Sequence, residues 1–265
     1  MSPRRRLLLL AVVIIVLVGA GIVLVPRLLG GGGSGDVAQD RPGPVLLVPG
    51  YGGGTGALER LADTLRARGR EAVVVTLVGD GTGDLRAQAD VLDAAAHAAL
   101  AGGAPSVDVV GYSAGGVVVR LWADELGGGA VARRIVTLGS PHHGAEIAGF
   151  GATLGPDSCP PACQQLAPGS ELLTGLEETP GGPLWTAIWT TADEVVTPPQ
   201  SGELVGAVNI AAQDVCPDSR VPHGQLPTDP LTVGLLLLAL DVEPLDAAPS
   251  SDRCSSIRGA GAATG

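Results

Sequence analysis

The sequence predicts an α/β domain: a mostly parallel sheet of about six strands with helices on both faces. Short, almost continuous apolar runs alternate with charge-decorated segments at helical spacing, the pattern of strand–helix–strand units. The runs lack the polar alternation of a half-exposed strand, so both sheet faces are expected to be covered. A Gly-x-Ser-x-Gly turn between one such run and a helix places a candidate nucleophile at a strand end.

The first 30 residues stand apart from this rhythm. Arg4, Arg5 and Arg6 precede an uncharged apolar run at 7–25, followed by Pro26, Arg27 and a Gly/Ser-rich linker at 31–43. A basic flank before an apolar run directs export. The run approaches the roughly 20 residues that span a bilayer, and Val18-Gly19-Ala20 offers small residues to a signal peptidase. Residues 1–30 therefore read as a signal peptide or an N-terminal transmembrane anchor. The anchor is favoured because apolar residues continue past Ala20. Either way the rest of the chain is expected to be extracytoplasmic, secreted or anchored to the membrane through 7–25.

The first strand is expected at 44–50, an apolar run bounded by turn residues. Leu58, Leu61 and Leu65 recur at helical spacing across 57–68. A β-branched strand follows at 72–78, an alanine-rich helix at 85–100, a third strand at 107–110 and a helix body at 117–126. A fourth strand covers 134–138. Residues 145–182 lose the rhythm, being rich in Gly, Pro and Cys. Leu172, Leu173 and Leu176 at helical spacing make this segment a lid candidate whose apolar face covers Ser113. Fifth and sixth strands are expected at 185–190 and 205–211, then a last apolar helix at 229–240. Residues 247–265 read as a loosely held tail.

A length of 265 residues fits one α/β domain with additions at its ends. The formal net charge is −11, and lysine is absent. Four of the 16 basic residues fall within 1–30, leaving twelve arginines against 27 acids, a balance of −15. Such a surface argues against nucleic acid and other polyanionic partners. Four cysteines in an exported chain suggest two disulfides. Cys159 and Cys163 flank Pro160-Pro161-Ala162 and close a small loop, which leaves Cys216 and Cys254 to pin the tail. Metal binding is the weaker reading, since no histidine stands close to either pair.

The serine motif sits in Val-Asp-Val-Val-Gly-Tyr-Ser-Ala-Gly-Gly at 107–116. A tight strand-to-helix turn lifts a hydroxyl clear of the backbone, and Gly111 and Gly115 let strand and helix approach closely. Ser113 needs a base. His97 lies in a helix away from any strand end, whereas His142 and His143 follow the fourth strand. His223, in Val-Pro-His-Gly between the sixth strand and the last helix, follows a candidate acid and fits the chain order serine, acid, histidine. Asp193, directly after the fifth strand, is the expected acid, with Asp214 as fallback and Glu194 pointing the other way. Two backbone donors complete the set: Ala114 N–H after the serine, and Tyr51 N–H in the glycine loop at 49–54.

Pro-Gly-Tyr-Gly-Gly at 49–53, Gly-Tyr-Ser-Ala-Gly-Gly at 111–116, Gly-Ser-Pro-His-His-Gly at 139–144, Thr-Ala-Asp-Glu-Val-Val at 191–196 and the late His223-Gly224 come in this order. Over roughly residues 44–240 the chain resembles the small bacterial secreted lipases and esterases of the α/β-hydrolase superfamily. The resemblance implies an α/β-hydrolase catalytic domain at 44–246 acting on a lipid or other ester. It implies a Ser113–His223–Asp193 triad, oxyanion donors at Tyr51 and Ala114, and no cofactor or metal. Two departures are visible: Pro49 replaces a histidine often found before the oxyanion glycine, and the Cys-bearing segment at 145–182 is long. An acyltransferase using the same triad, or a non-catalytic binding protein of this fold, are the rival readings. The second would ordinarily lack a triad member.

Overall fold

A computed structural model describes residues 37–262 of the chain. The expected signal peptide or anchor at 1–30 and the first part of the linker lie outside the described residues. Six strands build one sheet: β1 (Val45–Val48), β2 (Ala72–Val74), β3 (Val107–Tyr112), β4 (Ala132–Leu138), β5 (Leu184–Trp189) and β6 (Val208–Ala211). The helices in chain order are α1 (Gly56–Ala67), α2 (Leu85–Ala101), α3 (Ala114–Glu125), α4 (Glu146–Thr153), α5 (Pro161–Gln165), α6 (Glu171–Gly175), α7 (Ala212–Val215), α8 (Pro230–Ala239) and α9 (Cys254–Ala262). All strand pairs are parallel, in the order β2-β1-β3-β4-β5-β6. The order reverses between β1 and β3, and in open parallel sheets a crevice forms at the carboxyl ends of strands beside such a reversal. The glycine loop after β1 and the serine turn after β3 both lie there.

Alternating strand residues feed two cores. On one face Leu46, Val48, Val109 and Ile135 pack with Leu92 of α2 and Leu121 and Trp122 of α3. On the other, Leu47, Val110, Val136 and Ile188 meet Leu61 and Leu65 of α1 and Leu235 of α8. Local chemistry sets several helix starts. Asp84 accepts from Arg86 N–H at the start of α2, and Asp229 accepts from Leu231 and Thr232 N–H ahead of Pro230 in α8. No helix among the described residues is long and apolar enough to cross a membrane.

Four expectations change. The second strand stops at Val74 and not at 78, because β2 is the sheet edge and Val73 and Val78 face solvent. The sixth begins at Val208 and not at 205, with Val205 exposed. The C-terminal tail is no loose end: α9 packs on α8 with backbones in contact. A Cβ on Gly234 would lie 2.1 Å from Ile257 O, and one on Gly261 would lie 1.9 Å from Pro230 O. The small residues that read as a loosely held tail are what permits that approach. Finally, Leu172, Leu173 and Leu176 are buried against the domain and do not form a cover for Ser113. Both expected disulfides, Cys159–Cys163 and Cys216–Cys254, are present, and the second ties the start of α9 to the end of α7.

At the opposite rim from the crevice, charges are sealed inside. Asp108 on β3 is fully buried, and Arg133 donates to its two oxygens through Nε (2.9 Å) and Nη2 (2.6 Å). The β3–β4 register slips there, and the bulge leaves Arg133 as the extra residue. Arg70 Nη2 adds a third bond at 2.5 Å, and Arg134 N–H a fourth at 3.2 Å. Arg70 and Arg133 direct further donors to the carbonyls of Gln39, Gly43, Leu240 and Asp241. Residues 37–43, the end of the expected linker, are thereby fastened to the domain. Removing one partner of a buried pair leaves uncompensated charge, which typically costs about 3–5 kcal/mol. Asp108→Ala is expected to lower the unfolding free energy by about that amount in urea titration. A loss under about 1 kcal/mol would reduce the cluster to the worth of a surface pair.

Candidate active site

Ser113 has φ 54° and ψ −129°, and it is the sole non-glycine residue with positive φ among the described residues. Such backbone costs roughly 1–3 kcal/mol and persists only where its surroundings over-determine it. The surroundings here are glycines. A Cβ on Gly111 would stand 2.5 Å from Gly116 Cα, and one on Gly115 2.3 Å from Val48 O. Gly116, not singled out in the sequence, is equally constrained: its Cβ would meet Ser140 Oγ at 2.0 Å. The result is β3 passing into α3 with one residue between them, the helix starting at Ala114 ahead of the body expected at 117–126.

Ser113 Oγ lies 3.0 Å from His223 Nε2, and His223 Nδ1 lies 2.8 Å from Asp193 Oδ2. His223 and Asp193 are buried. The other Asp193 oxygen accepts from Val195 N–H (2.9 Å) and Val196 N–H (2.8 Å), so the carboxylate is held from both ends. The loop bringing His223 to the serine is anchored by Thr190, whose hydroxyl donates to Val221 O at 2.9 Å and accepts from Gln213 Nε2. Ser113 after β3, Asp193 after β5 and His223 on the loop that follows β6 and α7 thus meet, and the hydrogen-bond chain runs unbroken from hydroxyl to carboxylate.

The other candidates lie elsewhere. His142 is fully buried, with Nε2 3.1 Å from Thr137 Oγ1 and Nδ1 unpartnered. Burial, then the neighbouring Arg120 guanidinium and His143, hold its pKa well below the usual imidazole value. His143 pairs with Glu178 at 3.0 Å near the surface, and His97 stands exposed on α2. Asp214 is exposed on α7. Glu194, expected to point the other way, turns to the histidine's backbone: its carboxylate accepts His223 N–H at 3.0 Å, while the ring bonds to Asp193.

Two amides remain for a developing negative charge. Ala114 N–H opens α3 and has no intrahelical acceptor. In the loop after β1, Gly53 N–H bonds to Gly50 O and Gly52 N–H to Gly81 O, whereas Tyr51 N–H bonds to no acceptor among the described residues. Gly50 brings this loop against the serine: a Cβ there would lie 2.9 Å from Ser113 Cβ. The cleft above has a volume of about 390 Å³. Ser113 and Ala114 form its floor, and Ile147, Phe150, Leu166 and Val196 contribute apolar walls. Sequence spacing missed Arg120, buried on α3, whose guanidinium bonds to the carbonyls of His142, Leu176 and Glu177 and secures both ends of the wall segment. Cys216, Asp218 and Cys254 cluster at metal-ligand distance, but the two sulfurs are bonded to each other.

No family profile matches the sequence, and no curated protein matches it. Solved structures do. Lipase B of Aspergillus fumigatus is similar with a TM-score of 0.65 at 20% identity, over 86% of this chain and 58% of that protein. The propeptide form of the Bacillus licheniformis lipase BlEst2 gives 0.63 at 17% identity, over 80% of this chain and 52% of that one. This chain thus spans between half and three-fifths of the length of both lipases. Its strand order, its serine turn and these likenesses agree on one architecture, and the chain has the α/β-hydrolase fold.

Proposed function

We propose that the chain is an extracytoplasmic serine hydrolase that cleaves carboxylic esters, lipid esters in particular, through an acyl-enzyme on Ser113. The observation that carries this reading is the unbroken hydrogen-bond chain from Ser113 through His223 to Asp193 at the floor of an apolar cleft. His223 Nε2 takes the serine proton as Oγ attacks the ester carbonyl, and Asp193 stabilises the imidazolium. The Tyr51 and Ala114 amides receive the oxyanion. Collapse expels the alcohol with the proton from His223, and water repeats the sequence on the acyl-enzyme. Two disulfides and the basic-flanked apolar leader support an extracytoplasmic setting.

Ser113→Ala and His223→Ala are expected to lower kcat on p-nitrophenyl esters by about 10⁴-fold or more, whereas His143→Ala leaves it nearly intact. A reversed order between the two histidines would reassign the base.

Lipid substrates are favoured by the rim of the cleft. Ile147 and Phe150 of α4 and Leu154 just after it are 66%, 67% and 58% exposed, and Phe150 is the chain's single phenylalanine. Water-exposed apolar surface of this kind is stabilised by transfer to an apolar phase. This helix, not the leucines at 172–176, takes the lid role proposed for 145–182. The rate should rise sharply once the ester passes its solubility limit, and Leu154→Asp, exposed and outside the cleft lining, should weaken the rise while sparing dissolved esters. Smooth saturation through that limit would leave α4 as scaffold.

A further inference from the structure

The bonds that define the candidate triad hold only the ring of His223. Asp193 fixes Nδ1 and Ser113 contacts Nε2, and a ring held at one nitrogen can pivot about that bond when the serine oxygen is in reaction. The backbone that carries the ring belongs to a loop whose only regular element near the histidine is the short turn His223–Gln225. Two side chains grip that peptide directly. Glu194 Oε2 accepts His223 N–H at 3.0 Å, and Tyr112 OH donates to His223 O at 3.2 Å. The Tyr112 ring also lies 5.3 Å from the imidazole, tilted by 32°.

We infer that Tyr112 and Glu194 are positioning residues that fix the His223 backbone for proton transfer, an inference that rests on the ester-cleavage reading of Ser113, His223 and Asp193. The placement of the two in the chain is what makes the arrangement specific. Tyr112 immediately precedes Ser113, and Glu194 immediately follows Asp193. Each strand end that presents a partner to the imidazole therefore also grips the histidine's own peptide. A displacement of the β3 or β5 end carries the base along with its partner, which preserves the two reacting distances.

The chemistry of each residue fits this task. Glu194 is exposed and has no cationic partner among the described residues, so an ion pair does not account for its orientation. Burial, followed by the nearby Asp193 and Glu194 carboxylates, pushes the Tyr112 hydroxyl up to about 12, so it remains a donor at any pH where the fold operates. His223 O also accepts from Leu226 N–H at 3.2 Å, and a carbonyl has two lone pairs to serve both donors.

The test uses kcat and KM on p-nitrophenyl butyrate for Tyr112→Phe, Glu194→Ala and Glu194→Gln, with melting curves alongside. Misplaced reacting atoms cost rate without costing ground-state binding, so Tyr112→Phe and Glu194→Ala should lose about 10- to 100-fold in kcat at unchanged KM. Glu194→Gln should recover most of the loss seen with alanine, since its carboxamide oxygen accepts the same N–H. Melting temperatures should stay near that of the parent chain, the substituted groups being surface or hydroxyl atoms. Unchanged kcat in Tyr112→Phe and Glu194→Ala overturns the inference, as does a glutamine variant that falls as far as the alanine. A parent chain that does not turn the ester over removes the ester-cleavage reading and the inference with it, a result distinct from loss in the variants alone.

Discussion

The positive φ of Ser113 is the constraint from which the crevice follows. At 54° the residue turns the chain out of β3 and directly into α3, and no side chain larger than hydrogen fits at 111, 115 or 116 without displacing backbone or Ser140. The strain is offset by the strands and helix that clamp the turn from both sides. Three consequences come from that single conformation. The hydroxyl stands clear of the sheet, Ala114 lines the same cleft, and the loop after β1 closes down on the serine because Gly50 has no Cβ. The apolar strands supply rigidity, and the glycines supply proximity.

Parallel pairing does the rest of the assembly. All six strands point their carboxyl ends to one rim, so side chains from β3, the β5 end and the loop after β6 converge there despite sequence separations of up to 110 residues. The far rim is closed differently. A bulge turns Arg133 onto buried Asp108, and carbonyls from residues 39, 43, 240 and 241 take further donors of Arg70 and Arg133. One rim is a buried charge network that fastens the segments around residues 39–43 and 240–241. The other leaves two amides and a hydroxyl available to a ligand.

What could be read from the sequence was what is local or ordered along the chain. The strand–helix alternation, the serine turn with Gly111 and Gly115, and the small Cys159–Cys163 loop are short-range patterns. The order serine, acid, histidine singled out Ser113, Asp193 and His223, and the fold brings the three within hydrogen-bond reach. Features that depend on which face meets which were not readable. Helical spacing at Leu172, Leu173 and Leu176 could not say whether those side chains face the cleft or the core. The Gly- and Ala-rich end reads as slack until Gly234 and Gly261 are seen to let two helices touch. Asp108 and two adjacent arginines within apolar strands carry no signal of their mutual contact, because a register slip brings it about. The grip of Glu194 on the His223 peptide likewise depends on a loop geometry that spacing does not encode.

The central claim is that Ser113 is an activated nucleophile, and covalent trapping tests it most directly. The folded chain would be treated with a fluorophosphonate, digested, and mapped by mass spectrometry. The account predicts one adduct, on the peptide containing Ser113, that is lost in His223→Ala. Absence of an adduct on the folded chain, or an adduct at another cleft serine such as Ser158 with Ser113 untouched, would contradict it.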